Sequence, residues 1–419
     1  MKFGNAPSEF NKSVATILGG STLAQLIPLG SEIILVRLFT PVEFGILALF
    51  LAVATIFSSV AGLRYEQAIV LAKEDSSAIN ILILSMGIAV IIALLSGIIV
   101  YFFGNLIASW VDAALLNQYL KWAPLYILVF GVFQSFNLWA TRKKYYRRIA
   151  GSKISQSGSN ALVAIGSGWK GAQAGGLIAG HIVGGLFASM PLVWKFWKQD
   201  RHLLSLVSWE GIKEEAIKHK DFPRINSLHI LSDIGQQSIF STLIARLYGS
   251  GVLGFYSRMI RIVKVPAGFI GSAVGQVFYQ TAIEEWQKSK NIRPAFSKQL
   301  KKMIYLGIPI FALLAIWGPE IFGFVLTEKW EIAGKYAQIL SPWMFLNFIV
   351  SPFTYIPLIA EKQQRFFTIS LVMNLSVIAS LLVAYALNDH FETALYFLCT
   401  VQVIFHSYLL YWLYKIARV

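Results

Sequence analysis

Residues 78–103, "AINILILSMGIAVIIALLSGIIVYFF", run for 26 positions without a charged side chain. A helix of about 20 apolar residues crosses the roughly 30 Å hydrocarbon core of a bilayer. The apolar residues are continuous rather than alternating, which argues for a helix and against a barrel strand. This stretch therefore sets the class as an integral membrane protein. The same measure applied outward predicts about twelve spans. They are 13–38, 42–63, 78–103, 119–140, 153–169, 172–195, 225–248, 252–282, 303–326, 336–359, 366–387 and 392–414. The fifth, "KISQSGSNALVAIGSGW", is the least apolar, and its small and hydroxylated residues suit helix–helix contact. The opening "MKFGNAPSEFNK" is polar and carries no signal-peptide pattern.

Composition agrees. Of 419 residues, 56% are hydrophobic and 14% charged, against about 25% charged in soluble domains. A soluble multidomain enzyme and a disordered chain are excluded, and Cys399 as sole cysteine excludes a disulfide scaffold. The 36 basic and 21 acidic residues leave a net charge of +15. That excess is not spread evenly. Alternate connections such as "TPVE", "GNLIASWVDAALLNQ" and "NDHFE" lack Lys and Arg, whereas "TRKKYYRRIAGSK", 195–224 and 286–302 are rich in them. The positive-inside rule then puts both termini in the cytoplasm. Nucleic-acid binding, the other habitual meaning of a basic excess, fails because spans separate the short basic runs.

A repeat divides the chain. "ILVRLFTPVEFGILALF" (34–50) overlays "LIARLYGSGVLGFYSRM" (243–259) without a gap, aligning Arg37 with Arg246 and Gly45 with Gly254. "FGNLIASWV" (103–111) resembles "WGPEIFGFV" (317–325), and Pro124 matches Pro342. The expected fold is all-α, with about twelve transmembrane helices in two parallel six-helix lobes. A pseudo-twofold axis along the membrane normal would relate them, with the substrate path between. The lobes are 1–195 and 223–419. Residues 196–222 form a cytoplasmic amphipathic connector with Val207, Ile212, Ala216 and Ile217 on one stripe.

With "FNKS" before the first span, "GLRYEQAIVLAKED" closing the second, "GLIAGHIVGGL" in the sixth and "FGFVLTEKWEIAGKYAQIL" after the ninth, the whole chain resembles a known family. It looks like the polysaccharide-transport branch of the multidrug/oligosaccharidyl-lipid/polysaccharide exporter superfamily, the O-antigen flippases. The resemblance implies a V-shaped transporter in the bacterial inner membrane that flips an undecaprenyl-pyrophosphate-linked oligosaccharide to the outer leaflet. It also leaves room for a complex with a polysaccharide polymerase.

Ionisable residues inside spans are costly and so are candidates for function. Arg258, Arg261 and Lys264 recur every third residue in "GFYSRMIRIVKVPAG". They read either as a cationic patch gripping the substrate's pyrophosphate, or as side chains snorkelling to the outer headgroups, which suits Arg258 best. For ion coupling by Na⁺ or H⁺ the candidates are Asp233, with His229 one turn before it and Gln236 after, and Glu32 beyond Pro28. A buried hydrogen-bonded cluster is the alternative reading of that group. Arg37 and Arg246 read as outer-interface anchors or as an outer gate. Glu66 with Arg64 reads as a boundary ion pair. Gly176, Gly180 and Gly184 suit close helix packing.

No metal-ligand spacing, P-loop, dinucleotide fingerprint or nucleophile elbow occurs, so neither a metal, a cofactor nor catalytic residues are expected. A multidrug/cation antiporter of the same superfamily is the alternative, although it would favour acidic rather than basic intramembrane charge. A membrane-bound glycan polymerase or ligase is a third reading, weakened by the lack of a long outer loop.

Overall fold

In the computed structural model, residues 24–387 and 390–418 are described, apart from the side chains of residues 229, 233, 265, 269, 272, 273 and 276. The described residues form fifteen α-helices. Twelve of them fall on the expected spans, residues 13–23 of the first span lying outside the described residues: α1 (24–38), α2 (Pro41–Ser59), α3 (Asp75–Trp110), α5 (Ala123–Arg142), α6 (Tyr146–Trp169), α7 (Gln173–Gln199), α9 (Ser227–Tyr248), α10 (Ser250–Ser289), α11 (Arg293–Val325), α12 (Glu331–Val350), α14 (Gln363–Leu387) and α15 (Phe391–Ile416). Three shorter helices, α4 (Ala114–Leu120), α8 (Trp209–Lys218) and α13 (Ile356–Ile359), lie between them. Eight helical segments are long and apolar enough by themselves to cross a membrane. α1, described only over residues 24–38, is too short to belong to that set, and α6, α9 and α10 fall outside it because polar residues interrupt their apolar faces.

Local chemistry explains the helix ends. Thr40 and Glu43 of "TPVE" form a reciprocal capping box with Pro41 in the first turn, which fixes where α2 starts. α3 outlasts its apolar window at both ends, and at its start Asp75 is held by Arg142 and Lys143 at the end of α5.

Contacts divide the chain into two compact units, residues 1–246 and 247–419. In the first, α6 and α7 form a tight hairpin. A Cβ on Gly180 would lie 2.9 Å from the Asn160 carbonyl, and one on Gly184 3.0 Å from that of Gln156. The fifth span, polar as it is, is thus held by backbone-close packing on a glycine face. One core cluster of this unit holds Trp139, which is edge-on to Phe196 at 5.3 Å. Its indole donates to buried Asp200 at 2.9 Å, and the Tyr145 hydroxyl donates to the same carboxylate at 3.2 Å. Burial first, and then the Asp200 charge, push the Tyr145 phenol up to about 12.

The connector is docked on this unit. Buried Glu215 of α8 accepts from Ser77 (2.6 Å) and Lys218 (3.2 Å), with His219 Nε2 also 3.2 Å away. Tyr65 donates to the Ala216 carbonyl at 3.0 Å, and Asn80 accepts from the Ser208 amide at 3.1 Å. The expected stripe is only partly the docked face. Val207 and Ala216 pack on the core, whereas Ile217 is exposed because the register that seats Glu215 turns it outward.

In the second unit, α11 breaks at Trp317 (φ −121°, ψ 29°) ahead of Pro319 and packs closely on α12. Phe353 stacks on Phe296 at 4.1 Å, and Arg293 donates to the Tyr414 carbonyl at 3.2 Å, tying the start of α11 to the end of α15.

Candidate functional site

The cationic residues of α10 lie in the second unit, and their surroundings change along the helix. Arg258 is 5% exposed, Arg261 is half-buried and Lys264 is accessible. A three-residue step falls about 60° short of a full turn, so the stripe winds from core to surface. Arg258 therefore does not snorkel to a headgroup region. Arg258 and Arg261 both have interaction partners. In the same unit, buried His406 of α15 belongs to a polar chain: its Nδ1 is 2.8 Å from the Gln402 carbonyl and its Nε2 3.2 Å from Asn347 Nδ2. Gln402 in turn donates to Ser376 at 3.0 Å. Sequence reading missed this chain, since its members are spread over α12, α14 and α15.

Glu32 and Arg37 lie on α1, and Gln236 and Arg246 on α9, all within the first unit. Glu32 is buried with an interaction partner, and Gln236 is half-buried. The exposed Arg37 donates through Nη1 to the Ile33 carbonyl one turn back, and Arg246 is also exposed. The His229 and Asp233 side chains lie outside the described residues.

Glu66 is a site whose environment the sequence understated. Arg64 Nη1 stands 3.9 Å from Glu66 Oε1, so the ion pair exists but is loose. The carboxylate is 2% exposed, and its Oε2 has no hydrogen-bond partner among the described residues. Leu63 (φ 47°) and Arg64 (φ 63°) are both left-handed, a costly conformation for non-glycine residues. That turn seats the carboxylate directly over Gly62, where a Cβ would collide with Oε2. Burial pushes the Glu66 carboxyl above its ordinary 4.5, with its own backbone amide and Arg64 pulling the other way.

Three recesses are defined within single units. One, about 400 Å³, is apolar and lies between α10, α11 and α12. Another, about 450 Å³ and also apolar, lies between α3 and α5. The third, about 760 Å³, is walled by aromatic and polar groups where α9, α10, α12, α14 and α15 begin or end. Among the described residues no cluster of His, Cys, Asp and Glu could hold a metal ion.

This helical architecture is similar to that of solved flippase and multidrug-transporter structures. The chain is similar to an inward closed lipid II flippase, MurJ, with a TM-score of 0.72 at 15% identity over 94% of this chain and 86% of that one. It is also similar to an inward-facing MATE family multidrug transporter of the MOP superfamily (TM-score 0.58, 14% identity, 95% and 93% covered). A third likeness is to the Vibrio cholerae MATE transporter VcmN (0.52, 12%, 97% and 96%). The profile of the family described as "Polysaccharide biosynthesis protein" matches residues 34–335, and the chain belongs to that family. A comparison with curated proteins gave no match.

Proposed function

We propose that the chain carries an undecaprenyl-pyrophosphate-linked oligosaccharide from the inner to the outer leaflet of a bacterial inner membrane. The two six-helix lobes would expose the head group alternately to either side, with Na⁺ or H⁺ movement supplying the drive. Both termini are cytoplasmic in this reading, and a polysaccharide polymerase is the natural protein partner. The observation that carries the proposal is the stripe of Arg258, Arg261 and Lys264, which leads from the core of the second unit to an accessible lysine. A pyrophosphate cannot enter an apolar interior alone. Guanidinium and ammonium groups supply the charge-assisted hydrogen bonds that make its transfer feasible. Family membership and the likeness to a lipid II flippase support the same reading. A cation antiporter has less support, because this stripe would repel its substrate.

The test is to replace Arg261 and Lys264 together by Ala and to measure surface polysaccharide at matched protein levels. The proposal expects at least a tenfold loss. Unchanged polysaccharide would contradict it.

A further inference from the structure

The 760 Å³ recess of the second unit is unlike the two apolar ones. Tyr248, Tyr336, Tyr385 and Tyr396 line it together with His390 and Glu392. Its floor is an aromatic cluster around Phe391, which meets Tyr336 at 5.1 Å and Tyr248 at 5.0 Å, both edge-on. Tyr248 also meets Tyr385 at 5.5 Å, nearly perpendicular. Tyr336 and Phe391 are buried, whereas Tyr385 and Tyr396 keep 42% and 58% of their surface exposed. Glu392 is paired with Lys335 at 2.8 Å.

Each class of ligand can be weighed against that wall. An ion gains little, because the one carboxylate is already neutralised by a lysine. A lipid chain would place the exposed Tyr385 and Tyr396 hydroxyls against hydrocarbon. A saccharide suits both halves of the surface. Its C–H faces lie on aromatic rings that lose little entropy on contact, and its hydroxyls exchange hydrogen bonds with phenols, imidazole and carboxylate. The volume falls within the roughly 300–1,000 Å³ of small-molecule sites.

We infer that this recess is a saccharide-binding site at the outer face of the second unit. Resting on the proposed transport function, it would receive the glycan head as it emerges. The outer assignment follows from charge. Lys288, Lys290, Arg293, Lys298, Lys301 and Lys302 gather around the connection between α10 and α11, at the end of the unit away from the recess.

The experiment uses the full chain in lipid nanodiscs and saturation-transfer NMR. The probes are the oligosaccharide released by mild acid from the host's lipid-linked pool, and sugar-free undecaprenyl pyrophosphate. A third arm places the intact lipid-linked oligosaccharide in the nanodisc, separating a carried glycan from a free one. The free oligosaccharide is expected to receive saturation from the wild-type protein. Tyr385→Ala with Tyr396→Ala should weaken its binding at least tenfold, and the corresponding Phe pair should weaken it by less than about threefold. Because both side chains are exposed, the fold should survive; Tyr396→Ala alone, with an unchanged elution profile, gives the same test if the double variant does not. No saturation of the oligosaccharide, equal binding by the Ala variants, or displacement of the sugar by sugar-free pyrophosphate lipid would each overturn the site. Loss of the site with polysaccharide export still dependent on Arg261 and Lys264 would leave the transport reading standing. Sugar binding without any export dependence would leave the site and remove that reading.

Discussion

Gly318 of α11 and Gly334 of α12 meet backbone to backbone. A Cβ built on Gly318 would lie 2.5 Å from the Gly334 carbonyl oxygen, and one on Gly334 would lie 2.7 Å from the Pro319 Cα. The contact falls just after the break at Trp317 and sets how closely the two halves of this hairpin approach. Its counterpart in the sequence repeat, Gly104, is also a point of close approach, with Asn117 Oδ1 2.6 Å from where a Cβ would sit.

Gly334→Ala should therefore destabilise the protein by about 1–3 kcal/mol, the usual cost of forcing atoms into a packed contact. Gly158 of α6 has nothing within 4 Å of its would-be Cβ. Gly158→Ala should be neutral or stabilising by about 0.5–1 kcal/mol, since alanine loses less backbone freedom in a helix. Thermal unfolding of the detergent-purified variants separates the two. Equal melting temperatures would show that the hairpin can open at no cost.

Glu66 makes stability depend on pH. Its carboxyl in the folded protein sits above the ordinary 4.5, chiefly through burial, so the folded state favours the protonated form. That contribution is fully present below the unfolded value and is lost as pH rises through the raised folded value. Glu66→Gln keeps the shape and removes the titration. The melting temperature of the variant minus that of the wild type should grow from pH 4.5 upward and then level off. A difference that is flat with pH would mean that Glu66 stays charged in its pocket.

The connector should open as a unit when Glu215 loses its place. Glu215→Ala removes the acceptor shared by Ser77 and Lys218 and empties a buried position on α8. Tryptic cleavage at Lys213, Lys218 and Lys220 should become at least severalfold faster, whereas Lys218→Ala, which removes an exposed partner, should leave cleavage at Lys213 and Lys220 near the wild-type rate. Equal cleavage in wild type and Glu215→Ala would show that apolar contacts alone hold the connector.

Hydrophobic run length is a local property, which is why the spans could be read directly. Even the polar stretch 153–169 lies within a helix, because Gly180 and Gly184 on its neighbour accept it. What could not be read depends on distant partners. Asp200 gathers Trp139 and Tyr145 across 61 and 55 residues of chain, and Glu215 reaches Ser77 across 138. No local pattern marks either carboxylate as buried. The stripe of Arg258, Arg261 and Lys264 was legible as a spacing, but its winding from buried to accessible required the helix to be packed. The aromatic recess left a faint trace in the tyrosines of "RLY", "KYA" and "AYALNDHFETALY", which sit at helix ends that only the fold brings together.

The central claim is movement of a lipid-linked glycan across the bilayer. Proteoliposomes holding the purified chain and a fluorescent undecaprenyl-pyrophosphate-linked oligosaccharide would be probed from outside with a membrane-impermeant glycosidase. The account predicts that the accessible fraction rises with time well beyond that of protein-free vesicles, and that Arg261→Ala with Lys264→Ala returns it to their level. Accessibility that matches protein-free vesicles under an imposed Na⁺ or H⁺ gradient would contradict it.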